Sequence, residues 1–490
     1  MSEAAQVPFT ETKAPESADR LHRGALSLVD ISASTMANIG PAYSFFFGFG
    51  FLVFTAGVAA PLTIIVAGIA IAFLGNTLAQ FSRAHPSTGG FISFVGKTFG
   101  GTSAVTTAIL CGAGYIIAIS SVLAISGGFL ASTLQHYLHW NIPWIILSVI
   151  LTGGAVLMTI RGVGVSTKLA GLFFGFEMLV LIIVSIAALI KNGGHLSLIP
   201  FEPSHITNGF TGLAAGFPLA IYLFIGWENS AALAEETGNP RRNVPRAVFL
   251  STALMVTSYV LFSYATVSGF GYNVAKISNP DILPFITLAQ GILASFAFFA
   301  YLAGLTSTLG VLISAINSQA RLIFNAGREG LLPSWIGRVH PVRKTPVNAL
   351  FVFTGVAGLI ILVWALLHLL GGHANSGSMN PETFFVESST MGTILVLIVY
   401  FLANLALPFY YQRYLPDQFN VVKHVILPVL GMIAIGVPMY YLVKPGQDPP
   451  YSWFPYLAMG IVVLAIVYAW ILNRRDPTLG ERAGSIIADE

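Results

Sequence analysis

Apolar residues fall along this chain in long runs, most of them about 20 residues, the length at which a helix crosses the hydrocarbon of a bilayer. Short polar stretches carrying Gly, Pro, Lys and Arg divide one run from the next. Run length read against that punctuation predicts spans over 26–48, 56–81, 103–134, 143–160, 165–190, 211–236, 247–271, 288–320, 347–370, 389–411, 422–443 and 454–473. The pattern predicts an all-α integral membrane protein with twelve transmembrane helices.

Charge placement tests that count. With the N-terminus in the cytosol, all of the 23 Lys and Arg residues except Lys191, Lys276 and Lys444 fall on the cytosolic side. One helix more or fewer inverts every later loop and destroys the bias. The expectation is a multi-pass protein of the cell (plasma) membrane with both termini cytosolic.

Composition narrows the function classes. Hydrophobic residues make up 55% of the 490 and charged residues only 9%, and no polar stretch between the runs is long enough for a soluble domain. The single cysteine, Cys111, lies in an apolar run, so no intrachain disulfide forms. Gly90 to Thr98 imitates a phosphate-binding loop, but Phe91 stands where its first glycine belongs. The ten histidines fall in loops, tails and span ends, away from the mid-membrane positions that would hold haem or a metal. No polar nucleophile with a base stands inside the spans. No enzyme activity, cofactor, metal or nucleic-acid partner is expected; the expected partners are a small-molecule substrate, a coupling ion and the lipid bilayer.

Two spans are interrupted. Asn38-Ile39-Gly40-Pro41-Ala42 breaks the first and Phe224-Ile225-Gly226-Trp227 the sixth. Backbone freed at membrane depth survives only against protein or a water-filled cavity. Breaks five helices apart fit two inverted repeats whose discontinuous helices meet a substrate at the midplane.

The segments Phe224 to Glu228 and Glu235-Glu236-Thr237-Gly238-Asn239-Pro240 through Arg246-Ala247 resemble the helix 6 signature of the amino acid-polyamine-organocation (APC) superfamily of secondary transporters. Pro86 to Phe91, Asn317 to Arg321, Gly327 to Pro333 and Thr345-Pro346-Val347 are similar to the same family. The resemblance covers residues 25 to 475 and implies the LeuT-like 5+5 inverted-repeat fold, alternating access, and an amino acid or amine as substrate, moved by coupling to protons, to sodium or by exchange. The organisation expected is a disordered cytosolic tail over 1–25, a transporter domain over 26–475 and a cytosolic tail over 476–490. Within the domain, one repeat runs over 26–190, the second over 211–411, and helices 11 and 12 over 422–473.

An amino acid loses water from a carboxylate and an ammonium at the midplane, and each needs partners there. Amides at Gly40 and Ala42 suit the carboxylate; carbonyls near Met36, Ala37, Phe224 and Ile225 suit the ammonium. The family shows Gly-Ser/Thr-Gly in helix 1, whereas this chain has Asn38-Ile39-Gly40-Pro41, and Pro41 has no N–H to give. The Asn38 side-chain amide supplies two donors in compensation. Ile39 and Gly226 lie within the breaks, Phe224 and Trp227 flank the second with Trp227 offering its ring face to an ammonium, and Tyr115 is a candidate wall residue.

Glu177 sits deep in the fifth span, where a carboxylate is costly and by default functional. In several transporters that the chain resembles, the matching position carries a lysine in place of a sodium ion, so the charge is reversed here. Glu177 is a candidate proton carrier, or, with Thr306, Ser307 and Thr308 of helix 8, a cation ligand. Glu228, just past the second break, is a second coupling candidate, and Glu235 and Glu236 are expected to pair with Arg241, Arg242 or Arg246 at an inward gate. The reading is a secondary active transporter of amino acids, proton-coupled, with a carboxylate-free amine or polyamine, exchange, or a substrate sensor as alternatives.

Overall fold

Ser27 opens the first helix through a capping box: its hydroxyl accepts the Asp30 N–H at 3.3 Å and its own N–H donates to the Asp30 carboxylate at 2.9 Å. Helix α1 then runs Leu28–Ile39 and stops at Gly40, which adopts φ 61° and ψ 75°. A Cβ at Gly40 would lie 2.2 Å from Val311 Cγ2, so glycine is required by conformation and by space together. Pro41 restarts the chain at the first position of α2, Pro41–Ala56, where a missing N–H costs nothing.

The computed structural model describes residues 21–367 and 380–488 in full and the backbone of 368–370. It is all-helical apart from one isolated bridge between Leu26 and Thr237. After α2 come α3 (Ala60–Ala84), α4 (Phe91–Phe99), α5 (Gly101–Leu138), α6 (Trp144–Ile160), α7 (Val163–Lys191), α8 (Gly209–Tyr222), α9 (Asn229–Ala232) and α10 (Pro240–Gly269). They are followed by α11 (Val274–Ile277), α12 (Pro284–Ile292), α13 (Ala294–Arg328), α14 (Val347–Leu370), α15 (Pro381–Tyr414), α16 (Leu427–Val443), α17 (Phe454–Arg475) and α18 (Leu479–Arg482).

Among the described residues nine helical segments are long and apolar enough to cross a membrane, the first of them Leu28–Ala84, and two shorter apolar helices, Trp144–Ile160 and Gly209–Tyr222, stand with them. The protein is a multi-pass membrane protein. The expected span 211–236 divides into α8, a run of turns and α9; 288–320 divides into α12 and α13. Several helices overrun the hydrophobic window, α15 starting at Pro381 and ending at Tyr414, because a helix continues into polar surroundings while its caps allow.

Helix α5 is central, packed against α15, α6, α13, α17 and α4, while α1 lies against α7, α10 and α13, and α2 against α8. This places the break at Gly40 beside the turns after Tyr222. Aromatic rings fill the surroundings: Phe45, Phe49, Tyr259, Phe262 and Phe285 form one stacked and edge-on cluster.

The expected tail over 1–25 falls mostly outside the described residues. Leu21 is buried and donates its N–H to Glu235 at 2.9 Å. Within the tail expected over 476–490, α18 lies against α4 and α5, and Leu479, Ala483 and Ala488 are buried.

Candidate functional site

The break in helix 1 is held by groups from two other helices. Pro41 has no N–H, so the Ala37 carbonyl loses its helical donor. The Ala42 N–H, which would serve the Asn38 carbonyl, donates instead to Glu177 Oε2 at 3.0 Å, and the Tyr43 N–H donates to Ser307 Oγ at 3.0 Å. Ser44 N–H returns to the Gly40 carbonyl at 2.8 Å, and Gly40 N–H to the Met36 carbonyl at 3.1 Å. Every amide at the start of α2 therefore has an internal partner.

The second break begins where α8 ends. Turns carry the chain from Leu223 to Glu228, with Phe224 N–H on the Ile221 carbonyl, Trp227 N–H on the Phe224 carbonyl, and Gly226 at φ 104°. Asn38 Nδ2 donates to the Gly226 carbonyl at 3.4 Å and joins the two breaks.

Between them lies a cavity of about 60 Å³. Asn38, Ile39, Tyr115, Ile225 and Gly226, all flagged from sequence, line it. Ala37, Gly40, Ala42, Phe224 and Trp227 do not: Phe224 packs edge-on against Tyr259, and the Trp227 ring lies between Phe91 and Tyr400. The amides of Gly40 and Ala42 are engaged as described, and so are the Met36 and Phe224 carbonyls.

Sequence reasoning did not single out Tyr43, Ser44, Tyr222, Gln319, Ser389 or Thr393, which also line the cavity. Tyr43 and Tyr222 border the breaks closely enough to be found. Ser389 and Thr393 sit in uninterrupted α15, and only packing brings them in. The Tyr43 and Tyr222 hydroxyls are 3.0 Å apart, and Phe385 meets both rings edge-on at 5.8 and 5.9 Å. Phe47 and Phe385 then form part of the wall of a wider vestibule of about 340 Å³ that also carries Asp281 and Glu382. The aromatic cluster separates that vestibule from the cavity.

The opposite end is closed by ion pairs. Arg321, fully buried on α13, grips Glu236 with Nε on Oε2 at 2.5 Å and Nη2 on Oε1 at 3.0 Å. Arg328 binds Glu235, Nη2 to Oε2, at 2.7 Å. The expected pairing with loop arginines is corrected: Arg241 instead donates to the carbonyls of Arg83 and Ala84. The turn at Ala234–Glu236 aims both acids at α13, and a guanidinium inside the bundle, unlike one at its rim, would otherwise be buried without a counter-charge.

Glu177 is fully buried, and its Oε1 has no hydrogen-bond partner. Glu228 takes the Tyr115 hydroxyl on Oε1 at 2.7 Å. Among the described residues neither acid forms an ion pair. Thr306 satisfies its hydroxyl on the carbonyls of Leu302 and Ala303 and Thr308 on that of Leu305; Ser307 alone of the three joins the break. Among the described residues no group of three His, Cys, Asp or Glu side chains is placed to hold a metal ion.

A family model for amino acid permeases matches residues 25–472. The chain is similar to the Asc-type amino acid transporter 1 of Mus musculus, 28% identical over 353 residues, covering 69% of this chain and 64% of that protein. It is also similar to the branched-chain amino acid permease BcaP of Bacillus subtilis (strain 168), 22% identical over 430 residues, covering 84% of this chain and 85% of that protein. Among solved structures, a manganese transporter of Eremococcus coleocola shares the fold, with a TM-score of 0.55 at 13% identity over 91% of this chain and 95% of that one.

Proposed function

The chain belongs to the amino acid permease family of the APC superfamily and is a transporter, not an enzyme; from that premise we propose that it moves a small neutral amino acid across the plasma membrane by alternating access, coupled to protons through Glu177. The observation that carries this reading is a cavity set between two broken helices, with a buried carboxylate bound to the first free amide of α2. A cavity of about 60 Å³ has room for about four to six waters, which suits a small substrate. Glu177 and Glu228 are absent from its lining, so no charged side chain favours a charged substrate side chain.

In this reading the chain crosses the membrane twelve times, twice within Leu28–Ala84 and once each through the two short helices. Residues 26–190 and 211–411 are the inverted repeats of a LeuT-like transporter domain over 26–475, and both termini are cytosolic. The aromatic cluster at Tyr43, Tyr222 and Phe385 is then the outer gate, and the pairs Arg321–Glu236 and Arg328–Glu235 the inner one. Asn38, Ile39, Tyr115, Ile225 and Gly226 contact the substrate, and Ser307 holds the break while Glu177 changes protonation.

One observation favours a second reading. With Pro41 lacking an N–H and the amides of Ala42, Tyr43 and Ser44 engaged, α2 offers a substrate carboxylate no free donor, as suits an amine without one. Uptake of labelled amino acids and their decarboxylated amines into proteoliposomes decides between them. The first reading expects uphill accumulation of an amino acid under an inward proton gradient; accumulation of amines alone supports the second. Exchange without net uptake under any gradient contradicts proton coupling, and no movement of any compound contradicts transport.

A further inference from the structure

Residues 479–488, which follow α17, lie in a seat shaped for them. Leu479, Ala483 and Ala488 are buried. A Cβ at Gly101 of α5 would lie 2.9 Å from the Gly480 nitrogen, and one at Gly96 of α4 would lie 3.1 Å from the Ala483 Cβ. The bundle thus carries no side chain where the segment passes. The segment answers in kind: Gly484 turns at φ 67°, and a Cβ there would lie 2.7 Å from the Ser93 carbonyl oxygen.

Two backbone amides anchor the segment. Gly484 N–H donates to Glu329 Oε2 at 3.1 Å, and Ala488 N–H donates to the Pro86 carbonyl at 2.9 Å. Each anchor stands beside a residue that holds Glu235. Glu329 follows Arg328, whose Nη2 binds Glu235 Oε2 at 2.7 Å. Pro86 stands two residues before Thr88, whose hydroxyl accepts the Glu235 N–H at 3.1 Å. Ser87 Oγ donates to Ser93 Oγ at 3.0 Å, and Ser93 Oγ to Glu329 Oε1 at 3.4 Å, closing the ring between the two anchors.

We propose that residues 479–488 are a brace on the inner gate: docked, they hold the turn between α3 and α4 and the end of α13 together around Glu235, and their release favours opening. The proposal rests on reading Arg328–Glu235 and Arg321–Glu236 as that gate. Parting Thr88 from Arg328 carries Pro86 and Glu329 away from each other, and the segment cannot then keep both anchors. Contacts made in one arrangement favour that arrangement by their own free energy. The brace therefore acts on the closed state alone and touches neither the cavity nor the substrate.

Thiol labelling of Ala315→Cys on the cavity wall, in a Cys111→Ser background, tests the proposal without any substrate. Three changes are compared with the full-length chain: a chain ending at Pro477, the point variant Ala488→Pro, and Arg321→Ala as the measure of an opened gate. The truncated chain is expected to label about tenfold faster, the factor carried by one hydrogen bond to a charged group. Ala488→Pro, which removes one donor from the segment and leaves the bundle unaltered, is expected to label faster by a smaller factor. Each variant is read on protein that elutes as a single species, and the point variant keeps a folding defect in the truncated chain from imitating release. Truncation and Ala488→Pro at the full-length rate, with Arg321→Ala faster, overturn the brace and leave the gate standing. Arg321→Ala at the full-length rate overturns the gate and the brace with it.

Discussion

The Glu177 carboxylate accepts the backbone N–H of Ala42 at 3.0 Å across 135 residues of sequence. A buried acid from α7 thereby completes the start of α2, where the peptide dipoles leave partial positive charge and Pro41 leaves a gap in the donors. The two groups explain each other. The break exposes an amide that must be paired, and the carboxylate, fully buried without an ion-pair partner among the described residues, is tolerated because that amide is there. Any change in Glu177 protonation is felt directly at the hinge between α1 and α2.

Removal of the acceptor is therefore expected to cost stability. Glu177→Ala strands the Ala42 N–H, a loss of about 1–3 kcal/mol, while Glu177→Gln keeps an acceptor oxygen and loses less. Thermal unfolding of the two purified variants checks this; equal melting temperatures contradict it.

Gly226→Ala is expected to abolish transport while leaving insertion in the membrane intact. Gly226 has φ 104°, and a Cβ there would meet Asn38 Nδ2 at 2.8 Å and the Asn38 backbone at 3.0 Å. Strain of about 1–3 kcal/mol falls on a contact that joins the two breaks. Uptake by the variant, compared with a neutral change such as Gly153→Ala, where a Cβ meets nothing within 4 Å, gives the answer.

The positions of the breaks were legible because Gly40, Pro41 and Gly226 interrupt apolar runs that otherwise read as continuous helix. The depth of Glu177 was legible for the same reason: a single acid inside such a run stands out. Its partner was not, since a bond spanning 135 residues depends on how α7 lies against α1 and α2. Glu235 and Glu236 show the same limit. Nearness in sequence pointed to Arg241, Arg242 and Arg246, but the turn at Ala234–Glu236 sends both carboxylates to α13. The part of the cavity wall contributed by α15 carries no helix break, so Ser389 and Thr393 gave no sign in the sequence.

Breaking the Arg321–Glu236 pair is expected to open that end of the bundle. Arg321→Ala leaves Glu236 buried without its counter-charge, at a cost of about 3–5 kcal/mol to the closed state. In a Cys111→Ser background, Ala315→Cys reports on the cavity wall, and a thiol reagent is predicted to label it faster when Arg321→Ala is added. Arg321→Lys, which keeps the charge but loses the two-pronged grip, falls between. Unchanged labelling contradicts the gate.

The C-terminal segment is expected to dock more tightly in acid. Glu329 is buried, takes Asn325 Nδ2 at 3.0 Å and Ser93 Oγ at 3.4 Å, and accepts the Gly484 N–H at 3.1 Å. Burial pushes its carboxyl up to about 7, against the opposing pull of Arg328 and these hydrogen bonds. The docked state therefore holds a proton that a solvated carboxylate releases near its ordinary value of about 4.3. Docking is strongest below that value, weakens as pH rises through about 7, and stays weakest above it. Hydrogen exchange at Gly484 and Ala488, corrected for its intrinsic pH dependence, is predicted to show less protection at pH 8 than at pH 6, and Glu329→Gln to remove the difference.

Proton movement with substrate tests the central claim most directly. Proteoliposomes holding a pH-sensitive dye inside, voltage-clamped and without an imposed gradient, report protons that enter when substrate is added. The account predicts internal acidification that tracks wild-type uptake, and Glu177→Gln that exchanges substrate without moving protons and no longer accumulates it uphill. Substrate entry without acidification in the wild type, or acidification undiminished in Glu177→Gln, would contradict it.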